Sequence, residues 1–430
     1  MPWGPLIFLT IVNTLNFFDR YIVQSVEPML KEEFALSNSQ SGMLGAAFVL
    51  GYFVFSPLFG YLGATRDRRW LMGIGLFAWS LSTAMTGMAQ GFISFVIARV
   101  LVGVGEASFG SIVPGYLKSR IPDSIRLNNA LSIFFVAIPV GSALGYIAGG
   151  EMAAVWGWRS VFLAAAVPGV ALSLGFVRMA PELRVAAAGT AAPQALGASG
   201  PLRKLFEGVS GFLSGTRQVF ARPDLRYTIF GYILNTFALN GVAMFVVRHG
   251  EGLGMATDKV TATFGSILVV TGFLGTLGGG FLASKFAARR SNQIHGLLVF
   301  ISTTTLLGAP CLGAAFLARS PEWFFGACFV AEIALFAGVA PLNSVLVQRS
   351  PRGLETLTQG VTIFLINLFG AAAGMVVIGW VTDKLQRLGS VGSEADALAL
   401  ALQVTTLAMI LSGLLWCIAA WKNRSQAKEG

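Results

Sequence analysis

The sequence predicts an all-α polytopic membrane protein, with twelve transmembrane helices in two six-helix bundles, and three observations carry that prediction. Its 430 residues are 55% hydrophobic and only 12% charged, roughly half the charge fraction of an average soluble domain. Apolar stretches near the ~20 residues that a helix needs to cross a bilayer recur along almost the whole chain. A single long polar break, residues 179–226, divides them six and six, into 1–178, the break itself and 227–430.

The same composition sets other classes aside. Lys+Arg number 30 against 20 Asp+Glu, but the basic residues sit in short clusters between apolar spans. That is the pattern of membrane topology rather than of nucleic-acid binding. Cys311, Cys328 and Cys417 lie singly in apolar segments, and His249 and His295 stand far apart. No metal site, disulfide framework or cofactor is expected, and no nucleophile with its base, so the chain does not read as a membrane-embedded lipid enzyme. The N-terminus lacks a charged n-region and an A-x-A-like site, so the first span is expected to be retained.

Span one, 4–30, holds "LNFFDRYIVQS", with Asp19 and Arg20 about halfway along. Spans two and three, 40–64 and 70–89, are joined through "FGYLGATRDRRWLM". Span four, 91–118, carries Arg99 and Glu106 in "RVLVGVGEASFG", where Gly103 and Gly105 read as close-packing positions because no strand precedes them. Span five, 128–155, contains "PVGSALGYIAGG", whose Gly141, Gly145 and Gly149 form a small-residue face. Span six is 158–178. The break follows, low in complexity at "AAAGTAAPQALGASG" and amphipathic at "PLRKLFEGVSGFLSGTRQVF". Span seven, 227–249, ends on Arg248 and His249, which read as an interfacial anchor ahead of a gate. Span eight, 260–286, ends "GGFLASKFAARRSNQ" and echoes span two. Spans nine to twelve are 294–318, 322–348 with Glu332, 357–384 with Asn367, and 397–421. Repeated halves are the mark of a carrier that rocks about a central site.

A charge at the centre of a spanning helix costs about 2.5–3.5 kcal/mol on insertion scales, so each one calls for an explanation. Neighbouring helical residues point about 100° apart, so Asp19 and Arg20 cannot satisfy each other. Arg99 and Glu106 share a face but stand roughly 10 Å apart along the axis. Arg20 can meet Glu106 if spans one and four are neighbours, which leaves Asp19 or Arg99 to titrate, pair or bind. Glu332 either faces lipid in its protonated form or lines the cavity.

These stretches resemble the major facilitator superfamily, and within it the spinster-like lipid carriers. The likeness runs through "NFFDRYIV", "RVLVGVGEAS", "LSIFFVAIPVGSALGYIAGG", "APELR", "APLNSVLVQRSPR" and "IFLINLFGAAAGMVVIGWVTDKL". It implies that Asp19, Arg20, Arg99 and Glu106 face a central cavity; Asp19 and Glu106 are the candidate proton acceptors, and Arg20, Arg99, Glu332 and Asn367 the candidate substrate contacts. Gly60, Asp67, Arg68 and Arg69 around the loop motif, with Gly141 and Gly145, are the expected conformational switch. The chain departs from the family in two places. Ala64 and Thr65 stand where the loop motif has Asp-Arg, and Asn367 to Ala371 stand where span eleven reads HLLGD.

The function so implied is a proton-coupled secondary active transporter of an amphipathic, lipid-like substrate. A multidrug or small-metabolite carrier of the same fold is the alternative, and a passive scramblase or channel the reading from a different class. A monomer in the plasma (inner) membrane, in contact with membrane lipids, is expected. The positive-inside bias places both termini and the central break in the cytoplasm, since most Lys and Arg fall on that side. Cysteines introduced at Gly189 and Ser425 should therefore resist an impermeant thiol reagent in intact cells. Rapid labelling at either position would reverse the orientation.

Overall fold

Lipid offers a backbone no hydrogen-bond partners, so each span must satisfy its own, and helix is the element that does so. The computed structural model describes residues 3–121, 130, 133–178, 216–290, 292–351, 355–389 and 391–429, and among them there is no strand. The first half comprises α1 (Trp3–Glu33), α2 (Asn38–Thr65), α3 (Arg68–Gly87), α4 (Phe92–Arg120), α5 (Ile133–Trp156) and α6 (Trp158–Arg178). The second comprises α7 (Pro223–Gly252), α8 (Thr257–Ala288), α9 (Gln293–Leu317), α10 (Pro321–Leu346), α11 (Thr358–Arg387) and α12 (Glu394–Glu429). Ten of the twelve are long and apolar enough to cross a membrane on length and hydropathy; α2 and α3 complete the first bundle.

Local sequence fixes many of the ends. Ser37 and Gln40 form a capping box before α2, Asp67 caps α3 by accepting from the Arg69 amide, and Asn292 caps α9 by accepting from that of His295. Pro223 and Pro321 sit in the first turns of α7 and α10, where a missing N–H costs nothing. The seventh helix thus starts at Pro223, inside the stretch assigned to the break. Most of that break lies outside the described residues, but residues 216–221 are helical and Val219 packs on Leu225, Ile229 and Leu346. Helices α8 and α11 each contain a π-helical segment, Leu274–Gly278 and Ile366–Ala372.

Small residues set the close crossings, because in lipid helices associate through packing rather than through the hydrophobic effect. A Cβ on Gly103 would lie 2.2 Å from the Phe48 carbonyl oxygen of α2, and one on Gly105 would lie 2.5 Å from Trp79 Cβ of α3. Gly141, Gly145 and Gly149 face α1, where their Cβ atoms would meet Thr14, Phe18 and Ser25. That face therefore joins two helices of the same half. Contact of α5 with the second half passes instead through Gly150, against Thr261, and through Ala143 and Ile147, against Gly265 of α8.

The end that carries the N-terminus is called the near end below, and the opposite end the far end. At the far end one apolar core runs through both halves, joining Ile22, Val26, Tyr146 and Phe162 to Val242, Phe245, Phe264, Met375 and Leu402. Toward the near end the core divides. One cluster, with Leu9, Met72, Trp79 and Tyr116, lies almost wholly in the first half, and another, with Ala283, Leu298, Val345 and Trp416, lies wholly in the second. The halves share one core at the far end and have distinct cores toward the near end, where Phe53 of α2 still meets Phe364 of α11 at 4.3 Å between ring centroids.

Gly141→Ala should lower the melting temperature of the purified protein, because the added methyl would overlap the Thr14 carbonyl at 2.4 Å and overpacking costs about 1–3 kcal/mol. Gly326→Ala, with no atom within 4 Å of its new Cβ, should be neutral or stabilising.

Candidate functional site

Four ionisable side chains of the first half converge where α1 crosses α4. Arg20 Nε donates to Glu106 Oε2 at 2.9 Å, and Glu106 is fully buried. The Arg20 guanidinium is stacked among three aromatic rings, 4.9 Å from the centroid of Phe17, 4.6 Å from Phe48 and 4.9 Å from Tyr52. Such contacts gain strength when water is excluded. It is also 23% exposed, so the cation is paired without being wholly enclosed.

Asp19 points elsewhere, as a helical neighbour must. It is 1% exposed, its Oδ2 accepts from Thr83 Oγ1 at 3.4 Å, and its Oδ1 has no hydrogen-bond partner. Among the described residues no Lys or Arg lies within ion-pair distance of its carboxylate. Arg99, 1% exposed, lies behind α1 and donates from Nη1 to the Asp19 carbonyl oxygen at 3.4 Å, while its own ring neighbour is Phe48, 5.5 Å away. Arg99 therefore braces the backbone of α1 and is not itself on an open surface. Asp19 is left as a buried acid among cations without an ion pair of its own.

The second half contributes less to this centre. Glu332 on α10 is 2% exposed, so it faces the protein interior rather than lipid, within electrostatic reach of Tyr21 and Tyr146 of the first half. Its Oε2 has no hydrogen-bond partner. Asn367 lies in the π-helical segment of α11, and its amide turns back to donate to the Ile363 carbonyl at 2.8 Å. At the near end, Asp67 is occupied as the cap of α3 and pairs with Arg69 at 3.2 Å, while Arg68 donates to the carbonyls of Gly63 and Gly115. Gly60 falls within α2, at a position whose surroundings lie outside the description.

The far end holds what the sequence did not reveal. Arg248 lies 3.4 Å from Glu27 Oε1 of α1 and 3.5 Å from Glu394 Oε1 of α12, and Glu394 also binds Lys31 of α1. The expectation of an interfacial anchor is corrected: Arg248 is 11% exposed and ties the two halves together. His249 is buried, with the rings of Phe316 and Phe324 5.6 and 4.9 Å away. Glu27, Lys31 and Glu394 all sit at helix ends, where a charge is ordinary, so nothing in the sequence marked them.

Comparison with known proteins identifies the family and the fold. The family model described as Major Facilitator Superfamily matches residues 9–375. The human Protein spinster homolog 1 is 32% identical over 402 residues, covering 88% of this chain and 72% of that protein. The probable sphingolipid transporter spinster homolog 1 of Arabidopsis thaliana is 27% identical, covering 96% of this chain and 88% of that one. Among solved structures, a bacterial homolog of the human lysosomal transporter Spinster, in an inward-facing and occupied conformation, superposes with a TM-score of 0.76 at 21% identity, over 99% of this chain and 96% of that one. A D-xylose–proton symporter shares the fold at a TM-score of 0.69 and 16% identity, over 96% of this chain and 97% of that one.

The ion pair can be tested by a double-mutant cycle. Arg20→Ala leaves Glu106 buried without its cation, and breaking a buried pair from one side costs about 3–5 kcal/mol. Arg20→Ala combined with Glu106→Gln should recover much of that loss. Strictly additive losses in thermal or denaturant unfolding would mean that the two do not interact.

Proposed function

This chain belongs to the major facilitator superfamily and, within it, to the spinster family, and from that premise we propose that it is a proton-coupled carrier of amphipathic, lipid-like molecules working by alternating access. That it is a multi-pass membrane transporter follows from the family; the coupling, the substrate and the orientation are this proposal. The observation that carries it is the division of labour at residues 19 and 20. One acid is buried with no ion-pair partner, and the next residue is a cation that is paired yet still partly exposed.

A carboxylate's affinity for a proton changes when an arginine contact or its burial changes. Helix α1 lies against α7 of the other half, whereas the groups around Asp19, Thr83 and Arg99, belong to α3 and α4, so rocking reaches Asp19 by displacing α1 against those two helices. Asp19 is the proposed proton carrier. Glu106 joins it when Arg20 exchanges its carboxylate for the anionic head group of a substrate, a contact to which a planar guanidinium is suited. Arg99 holds the α1 backbone at the level of the exchange, and Glu332 faces the same interior from the second half. Lysophospholipids and sphingoid phosphates fit this arrangement, with a charged head at Arg20 and an apolar tail along the aromatic wall of Phe17, Phe48 and Tyr52. Relatives named as sphingolipid and sphingosine-1-phosphate transporters support that choice.

With both termini in the cytoplasm, the near end is the cytoplasmic one, so the conformation zipped at the far end is open inward.

Asp19→Asn keeps the shape of the side chain but cannot titrate. In proteoliposomes it should abolish accumulation of a lysolipid driven by a pH gradient while leaving lysolipid binding within a few-fold of the parent. Full pH-driven accumulation by folded Asp19→Asn would remove this residue from the coupling mechanism.

A further inference from the structure

We propose that Asp383 of α11 is a helix cap supplied across the two halves, a positioning residue that completes the N-terminus of α2 only when the far end is closed. The first amides of any helix have no partner within it. In α2 they are shared out unusually. Ser37 of the same half takes the Gln40 amide at 3.2 Å through its hydroxyl. The two amides before it go to the other half: Asn38 N donates to Asp383 Oδ1 at 2.9 Å, and Ser39 N donates to Asp383 Oδ2 at 2.9 Å. The side chains follow, with Asn38 Nδ2 donating to Asp383 Oδ1 at 2.8 Å and the Ser39 hydroxyl to Oδ2. One carboxylate thus accepts four hydrogen bonds at the positive end of a 28-residue helix, which is where a negative charge is favoured.

A second, independent feature builds the same crossing. A Cβ on Gly379 would stand 2.1 Å from the Asn38 carbonyl oxygen, and one on Gly42 would stand 2.2 Å from that of Met375. Two glycines, one from each half, bring the backbones of α11 and α2 together just where Asp383 reaches over. When the halves part at this end, the Asn38 and Ser39 amides and the carboxylate must all be handed to water at once, so the contact is made in one conformation and lost in the other. A ligand or contact that favours one state shifts the balance by the difference it makes between them. Unlike the ion pairs of Arg248, this contact is directional and couples the closure to the integrity of one helix end.

The inference rests on the alternating-access reading above, and the test separates the two. Spin labels at Glu32→Cys and Leu388→Cys, with the three native cysteines replaced by serine, report the distance across the far end in lipid nanodiscs. Asp383→Ala should raise the ratio of far-end-open to far-end-closed molecules about tenfold, as loss of a charge-assisted cap implies. Asp383→Asn, which keeps one acceptor oxygen, should fall between the two. Ser37→Ala removes a cap that lies within one half and should leave the distances unchanged, although it weakens the same helix end. Melting temperatures identify the folded variants, and Asp383→Asn decides the matter if Asp383→Ala does not fold. Unaltered distances in folded Asp383 variants, or an equal shift in Ser37→Ala, would overturn the cap while the parent still opens and closes. A far end that opens in no variant and at no pH would remove the alternating-access reading and the cap with it.

Discussion

The Arg20–Glu106 ion pair is the contact around which the first half is organised. Two opposite charges this deep in a spanning bundle are tolerable only if they meet, and they meet only if α1 and α4 cross at one register. The crossing in turn depends on the small residues of neighbouring helices: Gly103 admits α2 against α4, Gly105 admits α3, and Gly141 and Gly145 admit α5 against α1. Phe48 on α2 then lies over both Arg20 and Arg99. The ion pair and these close crossings together fix the relative positions of α1 to α5.

Asp19 gains its character from what that pair leaves over. The cation nearest in sequence is committed to Glu106, Arg99 is committed to the α1 backbone, and Thr83 offers one long hydrogen bond. A buried acid so placed can change its protonation with small changes in its surroundings. At mid-span the second half offers Glu332 among the described residues, while its cluster of Asp224, Arg222 and Arg349 lies at the near end, which makes the two bundles alike in architecture and unlike in chemistry.

Closure at the far end is built from three different physical parts. A shared apolar core resists separation without direction, the Arg248, Glu27, Lys31 and Glu394 charges add attraction, and the Asp383 contact to α2 adds direction. The near end shows the opposite character, with Asp67 used on its own helix and Asp224 on Arg222 and Arg349 of its own half. Separate cores there leave the two halves free to part.

The sequence by itself determined the membrane class, the six-plus-six division and the four central charges, because each is written in local terms: apolar length, a break in hydropathy, and ions too costly to leave unexplained in lipid. Resemblance in the FDR and GVGEAS stretches pointed to the family. Only the tertiary structure decided which charge meets which: that Arg20 reaches Glu106 depends on α1 and α4 being neighbours, and that Arg99 meets the backbone of Asp19 rather than its carboxylate depends on how they cross. It also placed Glu332 in the interior, turned the glycine face of α5 toward its own half, and converted Arg248 from an apparent membrane anchor into a tie between halves. Asp383 is the clearest case. In sequence it is one more acid near the end of a span, and its partners lie 344 and 345 residues away. Periodicity and composition describe a helix and its immediate neighbours, whereas a contact between two bundles depends on how both are oriented, which no local pattern records.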